Sequence, residues 1–224
     1  FKIGVITNIS HEHLDYHKTM EDYRLAKLKL FEHAKTSVVN LDMKMPCDYI
    51  VHHAKNKYGY TLKKEIPQHT GDLDGVRIIR AEELEMGINY SKFKVENLEF
   101  LLNMPGDFNV ENALAAICVG LSCGISLETM EKALREIRGV PGRMDHVEND
   151  KNLSIIVDYA VTPDSLSKLY ALVSRIKKDN PGSRIISVFG SCGERDRGKR
   201  PIMGEAVDKF ADYIIVTNED PYGE

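Results

Sequence analysis

The sequence predicts an α/β fold with two consecutive domains, and three observations lead to that prediction. Beyond residue 141, strand-like runs alternate with helical segments, an order typical of strands joined by crossover helices. These runs are continuous stretches of apolar and β-branched residues, as in a parallel sheet that is buried on both faces. Two glycines and a proline in Gly139–Gly142 indicate the boundary between domains 1–140 and 141–224.

The first domain is predicted to contain strands, then a hairpin, then two helices, with one helix after the first strand. Ser126 precedes the last helix and is a suitable N-cap residue. The predicted strands are Phe1–Ile9, Ser37–Leu41, Tyr49–Ala54, Tyr58–Leu62, Val76–Arg80 and the hairpin pair Ile88–Val95 and Leu98–Met104. The predicted helices are Thr19–Ala34, Asn109–Leu121 and Leu127–Ile137.

The second domain is predicted to alternate strictly between strands and helices. In order, its elements are Ser154–Tyr159, Asp164–Lys177, Arg184–Phe189, Ile202–Phe210 and Tyr213–Thr217. Ligands of parallel sheets bind beyond the carboxyl ends of the strands. Those ends carry Asp158, the loop Gly190–Arg200 and the segment Asn218–Asp220. We therefore expect the functional site at this edge.

The composition excludes several functional classes. The chain has 224 residues, of which 42% are hydrophobic and 29% charged, as is ordinary for a globular protein. A formal net charge of −4 gives no electrostatic reason to expect nucleic acid or an anionic membrane as partner. No apolar run approaches the ~20 residues that span a bilayer, and we expect no signal peptide. The cysteines lack zinc spacing, so we expect reduced thiols in a cytoplasmic protein. As separate expectations, the protein is a monomer and does not insert into a membrane.

Lys27 lies on the apolar stripe of its predicted helix, between Tyr23 and Phe31 at about 100° per residue. A lysine in such a place either extends its amine outward or loses its proton through desolvation. A neutral amine can add carbon dioxide to become an anionic carbamate, which can hold magnesium. The pattern leaves both alternatives open, and the outward-reaching lysine is the ordinary one.

A histidine-rich turn, His11–His17, follows the first predicted strand. Imidazoles beside carboxylates suit divalent metals, although no cysteine or distant histidine has the spacing of a zinc site. One of the three histidines could reach inward as a metal ligand. For a single histidine, a structural role is the more common alternative.

The loop Gly190–Arg200 contains three arginines and a lysine. Residues Gly193–Lys199 fit the start of a Walker A motif, but Arg200 stands where Ser or Thr would ligate magnesium, so we exclude a P-loop here. Arginines in a glycine-flexed loop suit phosphate or carboxylate. A solvated surface turn is the alternative.

Asp158 and Arg143 are further candidates. Asp158 ends a predicted strand and could accept hydrogen bonds from a ribose or orient a cation. The alternative is a helix cap, a role for which Thr162 and Asp164 are better placed. Arg143 follows the domain boundary and could reach into a cleft between the domains, or it could be a surface arginine.

Five ordered motifs resemble the Mur ligase family, and within it the UDP-N-acetylmuramoyl-tripeptide synthetases. They are Thr7–His17 with Tyr23–Lys27, Gly106–Ala113, Val140–Met144, Val157–Tyr159 and Phe189–Pro201, whereas residues 42–104 match only loosely. The resemblance implies the C-terminal part of the central ATP-binding domain, then the N-terminal part of a Rossmann-like C-terminal domain. It also implies a fragment without the N-terminal domain, the phosphate-binding loop and the C-terminal end, and therefore one that does not hydrolyse ATP alone.

The resemblance further implies an ATP-dependent ligase that adds an amino acid to UDP-MurNAc-dipeptide through an acyl phosphate, with ATP and Mg²⁺ as cofactors. Its context would be peptidoglycan synthesis, and hence cell shape and division. The catalytic, metal-binding positions are matched by Lys27, as a carbamate, and His13. The nucleotide-binding positions are matched by Asn109, Asn112, Arg143 and Asp158. The positions for the incoming amino acid are matched by Arg195, Glu219, Asp220, Pro221 and Tyr222.

Two residues depart from the family pattern. Val161 replaces the usual histidine of the Asp-Tyr-Ala-His-Thr-Pro motif, which weakens the assigned nucleotide contacts. Tyr222 replaces the arginine of Asp-Asn-Pro-Arg and cannot make its bidentate carboxylate contact, so diaminopimelate is not favoured. Lysine or another amino acid is then a candidate. Two alternatives to the muramyl ligase stay open: a nucleotide-binding module without ligase activity, and a related amide ligase of the cyanophycin or folylpolyglutamate type.

Overall fold

A computed structural model of the chain describes residues 1–10, 14–50, 53–87 and 89–224. The α/β fold class is confirmed, since helices connect parallel strands in both halves of the chain. The chain forms two compact units. The first consists of residues 1–9 and 24–158, and the second of residues 10–23 and 159–224. The domain limits 1–140 and 141–224 stay a prediction.

The first unit contains a four-stranded parallel sheet. Its strands are β1 (Ile3–Ile6), β2 (Thr36–Asn40), β3 (Asn56–Thr61) and β4 (Val76–Arg80), in the spatial order β1-β2-β3-β4. Helices α1 (Leu14–His17) and α2 (Met20–Glu32) follow β1 in sequence, and α3 (Cys47–Ile50) follows β2. All five residues of β2 are buried, as expected for a central strand of a parallel sheet.

The predicted strand Tyr49–Ala54 is wrong. Residues Cys47–Ile50 form α3 instead, and residues 51–52 lie outside the described part of the chain. Parallel strands cannot be joined by a tight turn, so the chain between β2 and β3 must cross back over the sheet. The helical turn of α3 makes part of that crossing and buries both Tyr49 and Ile50 in the core.

A three-stranded antiparallel sheet follows, built from β5 (Glu82–Met86), β6 (Ser91–Val95) and β7 (Leu98–Leu102). The predicted hairpin is confirmed as β6 and β7, which Glu96 and Asn97 connect with φ angles of 48° and 69°. Both angles lie in the left-handed region, as a two-residue type I′ turn requires. Strand β5 has no counterpart among the predicted strands, because its glutamates are poor strand formers.

Two helices complete the first core, and both confirm the sequence-based prediction. They are α4 (Asp107–Ser122) and α5 (Leu127–Glu136). The Ser126 hydroxyl accepts a hydrogen bond of 3.3 Å from the Thr129 amide, so Ser126 caps α5 as expected. The fully buried side chains between these helices and the sheets include Tyr60, Phe93, Phe100, Val110, Leu114 and Ile117.

One further expectation about strand pairing is wrong. The strand predicted at Ser154–Tyr159 forms as β9 (Ile155–Val157), but it pairs antiparallel with β8 (Asp145–Val147) in the first unit. It does not join the parallel sheet of the second unit. That sheet has two strands, β10 (Ile186–Phe189) and β11 (Tyr213–Val216), connected in sequence by α7 (Lys199–Asp208) and preceded by α6 (Pro163–Lys178).

The expectation that these strands are buried on both faces is also wrong. Helices α6 and α7 contribute Leu166, Tyr170, Met203 and Val207 to the core of the second unit. Apolar strand residues remain 52–64% exposed: Ile186, Val188, Tyr213 and Ile215. A run of apolar residues shows that a strand can be buried, but the elements packed around it decide whether it is.

All four cysteines are free thiols. Burial raises the pKa of the Cys118 thiol to about 12, which makes this side chain unreactive at neutral pH. Among the described residues, no helix combines the length and the apolar character that crossing a membrane requires.

Candidate functional site

The carboxyl ends of β10 and β11 lie at the same edge of their parallel sheet. The arginine loop (Gly190–Arg200) follows β10, and the closing segment (Asn218–Glu224) follows β11. A hydrogen bond of 3.1 Å from the Gly193 amide to the Asp220 carbonyl oxygen joins the two. The structure thus brings together two of the three segments that the sequence placed at the ligand edge.

A cavity of about 340 Å³ is lined by the arginine loop, the closing segment and α7. This volume lies at the small end of ligand sites, which span about 300–1,000 Å³. Three of its lining residues are charged, namely Arg200, Glu219 and Glu224. The cavity also has apolar walls, formed by side chains that include Phe189, Met203, Val216 and Pro221. Its size and mixed lining suit a small polar molecule.

Two glycines allow the arginine loop and the closing segment to approach each other closely. A Cβ atom on Gly193 would lie 2.0 Å from the Pro221 carbonyl oxygen, and one on Gly190 would lie 2.4 Å from the Thr217 carbonyl oxygen. Both obstacles are backbone atoms, which cannot rotate away as a side chain could. The cavity wall therefore requires glycine at these two positions.

The carboxylate of Glu224 is the centre of a cluster that we call the carboxylate clamp (Glu194, Arg197, Arg200 and Glu224). It accepts hydrogen bonds from the Glu194 amide at 2.8 Å, from Arg197 Nη2 and Nε at 2.9 and 3.1 Å, and from Arg200 Nη1 at 2.7 Å. Arg200 and the Glu194 amide are the main reasons why the pKa of Glu224 falls to about 2. Glu224 is therefore ionised at neutral pH.

The other two cations of the arginine loop, Arg195 and Lys199, do not bind Glu224. Arg195, which was expected to bind the carboxylate of the amino acid, is exposed and makes no ion pair with any residue that the structure describes. Lys199 is only 9% exposed, and its Nζ donates a hydrogen bond of 3.0 Å to the Val161 carbonyl oxygen. Lys199 thus ties the start of α7 to the chain just before α6, at the position that departs from the family motif.

Two of the other predicted substrate residues line the cavity and two do not. Glu219 and Pro221 are lining residues. Asp220 and Tyr222 are exposed and have positive φ angles of 39° and 51°. The closing segment therefore borders the cavity at Glu219 and Pro221 and is exposed to solvent at Asp220 and Tyr222.

The two predicted nucleotide-binding asparagines lie at the start of α4 but in different environments. Asn109 is 7% exposed, and its Nδ2 donates a hydrogen bond of 2.7 Å to the Pro105 carbonyl oxygen. Asn112 is exposed. Asn109 therefore stabilises the turn that precedes the helix, and of the two only Asn112 has its side chain at the surface.

Asp158 and Arg143 come close through a backbone contact. Asp158 Oδ2 accepts a hydrogen bond of 2.8 Å from the amide of Met144, the residue after Arg143. Arg143 is exposed. Asp158 is not a helix cap, because Thr162 caps α6 and accepts a hydrogen bond of 3.1 Å from the Ser165 amide. The end of β9 and the turn that contains Arg143 are thus adjacent in the first unit.

Lys27 lies in α2, as predicted, but its side chain is exposed. Of the two alternatives that the sequence left open, the exposed side chain agrees with the outward-reaching lysine and not with one buried on the apolar stripe. His13, its expected partner at the metal, lies outside the described residues. Across the described ranges, no group of three or more His, Cys, Asp or Glu side chains could hold a metal ion.

Two family models match consecutive parts of the chain. The Mur ligase middle domain matches residues 1–120, and the glutamate ligase domain of Mur ligases matches residues 142–224. This chain belongs to the Mur ligase family. The resemblance inferred from the five motifs is thereby confirmed.

Mur ligases from several bacteria are similar to the chain over its whole length. A UDP-N-acetylmuramoyl-L-alanyl-D-glutamate–2,6-diaminopimelate ligase of Clostridium acetobutylicum is 36% identical over 234 residues, which cover 100% of this chain and 45% of that relative. A UDP-N-acetylmuramyl-tripeptide synthetase of Roseiflexus sp. is 37% identical over 238 residues, covering 99% of this chain and 44% of the relative. The chain therefore spans less than half the length of these relatives.

A solved structure shares the fold. It is a UDP-N-acetylmuramoyl-L-alanyl-D-glutamate–2,6-diaminopimelate ligase with a TM-score of 0.61 and 30% identity, covering 99% of this chain and 44% of that one. The Mur ligase fold thus extends over both units of the chain.

Sequence reasoning missed the partner at the centre of the site. The three arginines were recognised as a group that suits anions, but Glu224 was not singled out. Its hydrogen-bond partners lie 24 to 30 residues away, a separation at which periodicity and local motifs carry no signal. Only the pairing of β10 with β11 brings Glu224 to the arginine loop.

Proposed function

We propose that the protein is an ATP-dependent amide ligase that adds an amino acid to UDP-MurNAc-dipeptide during the synthesis of peptidoglycan precursors. The observation that carries this proposal is the succession of the two Mur ligase domains along one chain. The names of the similar proteins, which are muramoyl-peptide ligases, support the same substrate class. A cytoplasmic monomer is the form in which we expect it to act.

The proposed reaction needs anion recognition at two steps. A substrate carboxylate is first phosphorylated to an acyl phosphate, and the amine of the incoming amino acid then attacks it. The chain's part in such a reaction is positioning and electrostatic stabilisation of negative charge. In the arginine loop, Arg195 is exposed and free of ion pairs with described residues, so its guanidinium can receive the carboxylate of the amino acid.

ATP and Mg²⁺ are the proposed cofactors, and the described residues fit them unequally. Asn112, Arg143 and Asp158 have polar atoms at or near the surface and suit a nucleotide. Asn109 fits less well, since its amide group already bonds Pro105. Among the described residues, no cluster of three or more His, Cys, Asp or Glu side chains could hold the magnesium ion. The carbamate of Lys27 and the imidazole of His13 stay proposals that rest on the family.

The acceptor amino acid is proposed to differ from diaminopimelate. Tyr222 stands in place of the motif arginine and is 63% exposed. A phenol hydroxyl cannot form the paired hydrogen bonds with which arginine binds a second carboxylate. An amino acid with a single carboxylate, such as lysine, therefore suits the closing segment better.

Phosphate release by the protein expressed from its complete gene tests the proposal. UDP-MurNAc-dipeptide, ATP and a panel of amino acids are supplied, and we expect phosphate and tripeptide product with one amino acid other than diaminopimelate. Turnover only when UDP-MurNAc-dipeptide is replaced by another carboxylate substrate would favour a ligase of the cyanophycin or folylpolyglutamate type. ATP binding without turnover of any carboxylate substrate would favour a module without ligase activity. The residues that support this alternative are Val161 and Tyr222, which depart from the family pattern.

A further inference from the structure

The carboxylate clamp is more than a surface ion pair. Exposed pairs of one cation and one anion typically contribute about 0–1 kcal/mol and often nothing measurable. Here one carboxylate accepts four hydrogen bonds from three residues, and one of those donors is a backbone amide. The side chain of Glu224 is 22% exposed and that of Arg200 is 33% exposed, so the pair is partly shielded from water.

The contacts of the clamp connect the two walls of the cavity. Glu224 belongs to the closing segment, whereas all its donors belong to the arginine loop. A second contact runs the opposite way, from the Gly223 amide to Glu194 Oε1 at 3.2 Å. Arg200 also donates a hydrogen bond of 3.2 Å to the Cys192 carbonyl oxygen, which secures the loop on its own side.

The clamp also determines which arginines of the arginine loop have an acidic partner. Glu224 engages Arg197 and Arg200, the guanidinium groups that could otherwise compete for an incoming carboxylate. Arg195 is the arginine of the loop that the clamp leaves without an ion pair to any described residue. Of the three arginines, two have Glu224 as an acidic partner, and Arg195 has none among the described residues.

We propose that Glu224 is a positioning residue that fixes the arginine loop against the closing segment and leaves Arg195 as the guanidinium for the amino acid's carboxylate. This inference rests on the proposed ligase function. It assigns a role to a residue that does not itself touch the substrate.

The alternative is that Glu224 inhibits substrate binding because its carboxylate occupies the place of a substrate carboxylate. The two roles predict opposite changes in the KM for the amino acid when the charge of Glu224 is removed.

The test compares three variants of the protein expressed from its complete gene. Glu224→Gln keeps the shape of the side chain and removes its charge, and Glu224→Asp keeps the charge on a shorter side chain. Glu205→Gln is the matched control, since Glu205 is an exposed carboxylate on α7 with no ion pair among the described residues. We expect Glu224→Gln to raise the KM for the amino acid about tenfold, a change of about 1.4 kcal/mol.

Two further readouts separate positioning from general damage. The KM for ATP should stay the same, and Glu224→Asp should restore part of the affinity for the amino acid. Hydrogen exchange should accelerate about tenfold at the Glu194 amide in Glu224→Gln, because its acceptor is weakened. The control should match the wild-type protein in every measurement.

Several outcomes would overturn the inference. A lower KM in Glu224→Gln would show that Glu224 occupies the substrate's place, and an unchanged KM would remove its role in substrate binding. Unchanged exchange at Glu194 would show that the clamp does not hold the loop. A wild-type protein without any ligase activity would refute the proposed function instead, and the exchange comparison would still decide whether the clamp exists.

Discussion

Lys27 shows that a helical stripe can be identified from the sequence while the exposure of a residue on it stays open. Its helix forms as α2, and Tyr23 and Phe31 on either side of it around the helix are buried, at 7% and 2% exposure. Lys27 between them is nevertheless exposed. The spacing of residues gives the direction of a side chain around the helix axis, but only the surrounding elements decide whether that direction is covered.

Substitution of Lys27 tests the proposed carbamate. In the protein expressed from its complete gene, we expect Lys27→Ala to lower kcat about 10²-fold, the usual cost of losing one group that stabilises charge in a transition state. Added bicarbonate should not restore activity, because alanine has no amine to carbamylate. Steady-state kinetics check this, with Lys29→Ala, another exposed lysine of the same helix, as the control. Equal kcat values for both variants and the wild type would remove the carbamate from the proposed mechanism.

At the scale of elements, the sequence predicted correctly those features that depend on residues close together in the chain. The caps at Ser126 and Thr162 and the β6–β7 hairpin form as their residues indicate. Errors arose where a distant partner decides. The stretch after Cys47 became a helical turn because a parallel crossing was needed, and β9 found its partner in β8 rather than in the second unit.

The contact between the arginine loop and the closing segment can be tested through Gly193. A methyl group there would collide with the Pro221 carbonyl, so we expect Gly193→Ala to destabilise the protein by about 1–3 kcal/mol. Gly204 is the matched control, because it lies within α7 and a Cβ atom there meets nothing within 4 Å. Gly204→Ala should stabilise the protein by about 0.5–1 kcal/mol through helix propensity. Urea unfolding followed by circular dichroism measures both effects, and equal midpoints for the two variants would contradict the close approach.

At the scale of the whole molecule, acidic side chains tie distant parts of the second unit together. Asp212 accepts hydrogen bonds from Lys177 Nζ at 2.7 and 2.9 Å and from the Ile185 amide at 2.7 Å, which connects α6, β10 and the start of β11. The lysine contact and then the backbone contact lower the pKa of Asp212. The pKa of Glu224 is lowered to about 2 by its arginine and amide donors.

These lowered pKa values predict how stability depends on pH. As the pH falls, these carboxylates take up protons near pH 4 in the unfolded chain but only at lower pH in the folded chain. Acid therefore stabilises the unfolded chain relative to the folded one. We expect the stability contributed by Asp212 and Glu224 to be complete above about pH 5 and to be lost as the pH falls towards 2. We therefore compare the wild type with a double variant that carries both Asp212→Asn and Glu224→Gln. As the pH is lowered, the urea midpoint of unfolding should fall less steeply for the double variant than for the wild type. Parallel curves for the two proteins would contradict the assignment.

The sequence by itself determined the family, the order of most helices and strands, and the arginine loop as a place for anions. These properties depend on residues that are close together in the chain, so spacing and local chemistry are enough to predict them. The tertiary structure decided which arginines are paired, that Glu224 engages them, and that Lys27 is exposed. Those outcomes depend on contacts between residues far apart in sequence, which form only when parallel strands place their ends side by side.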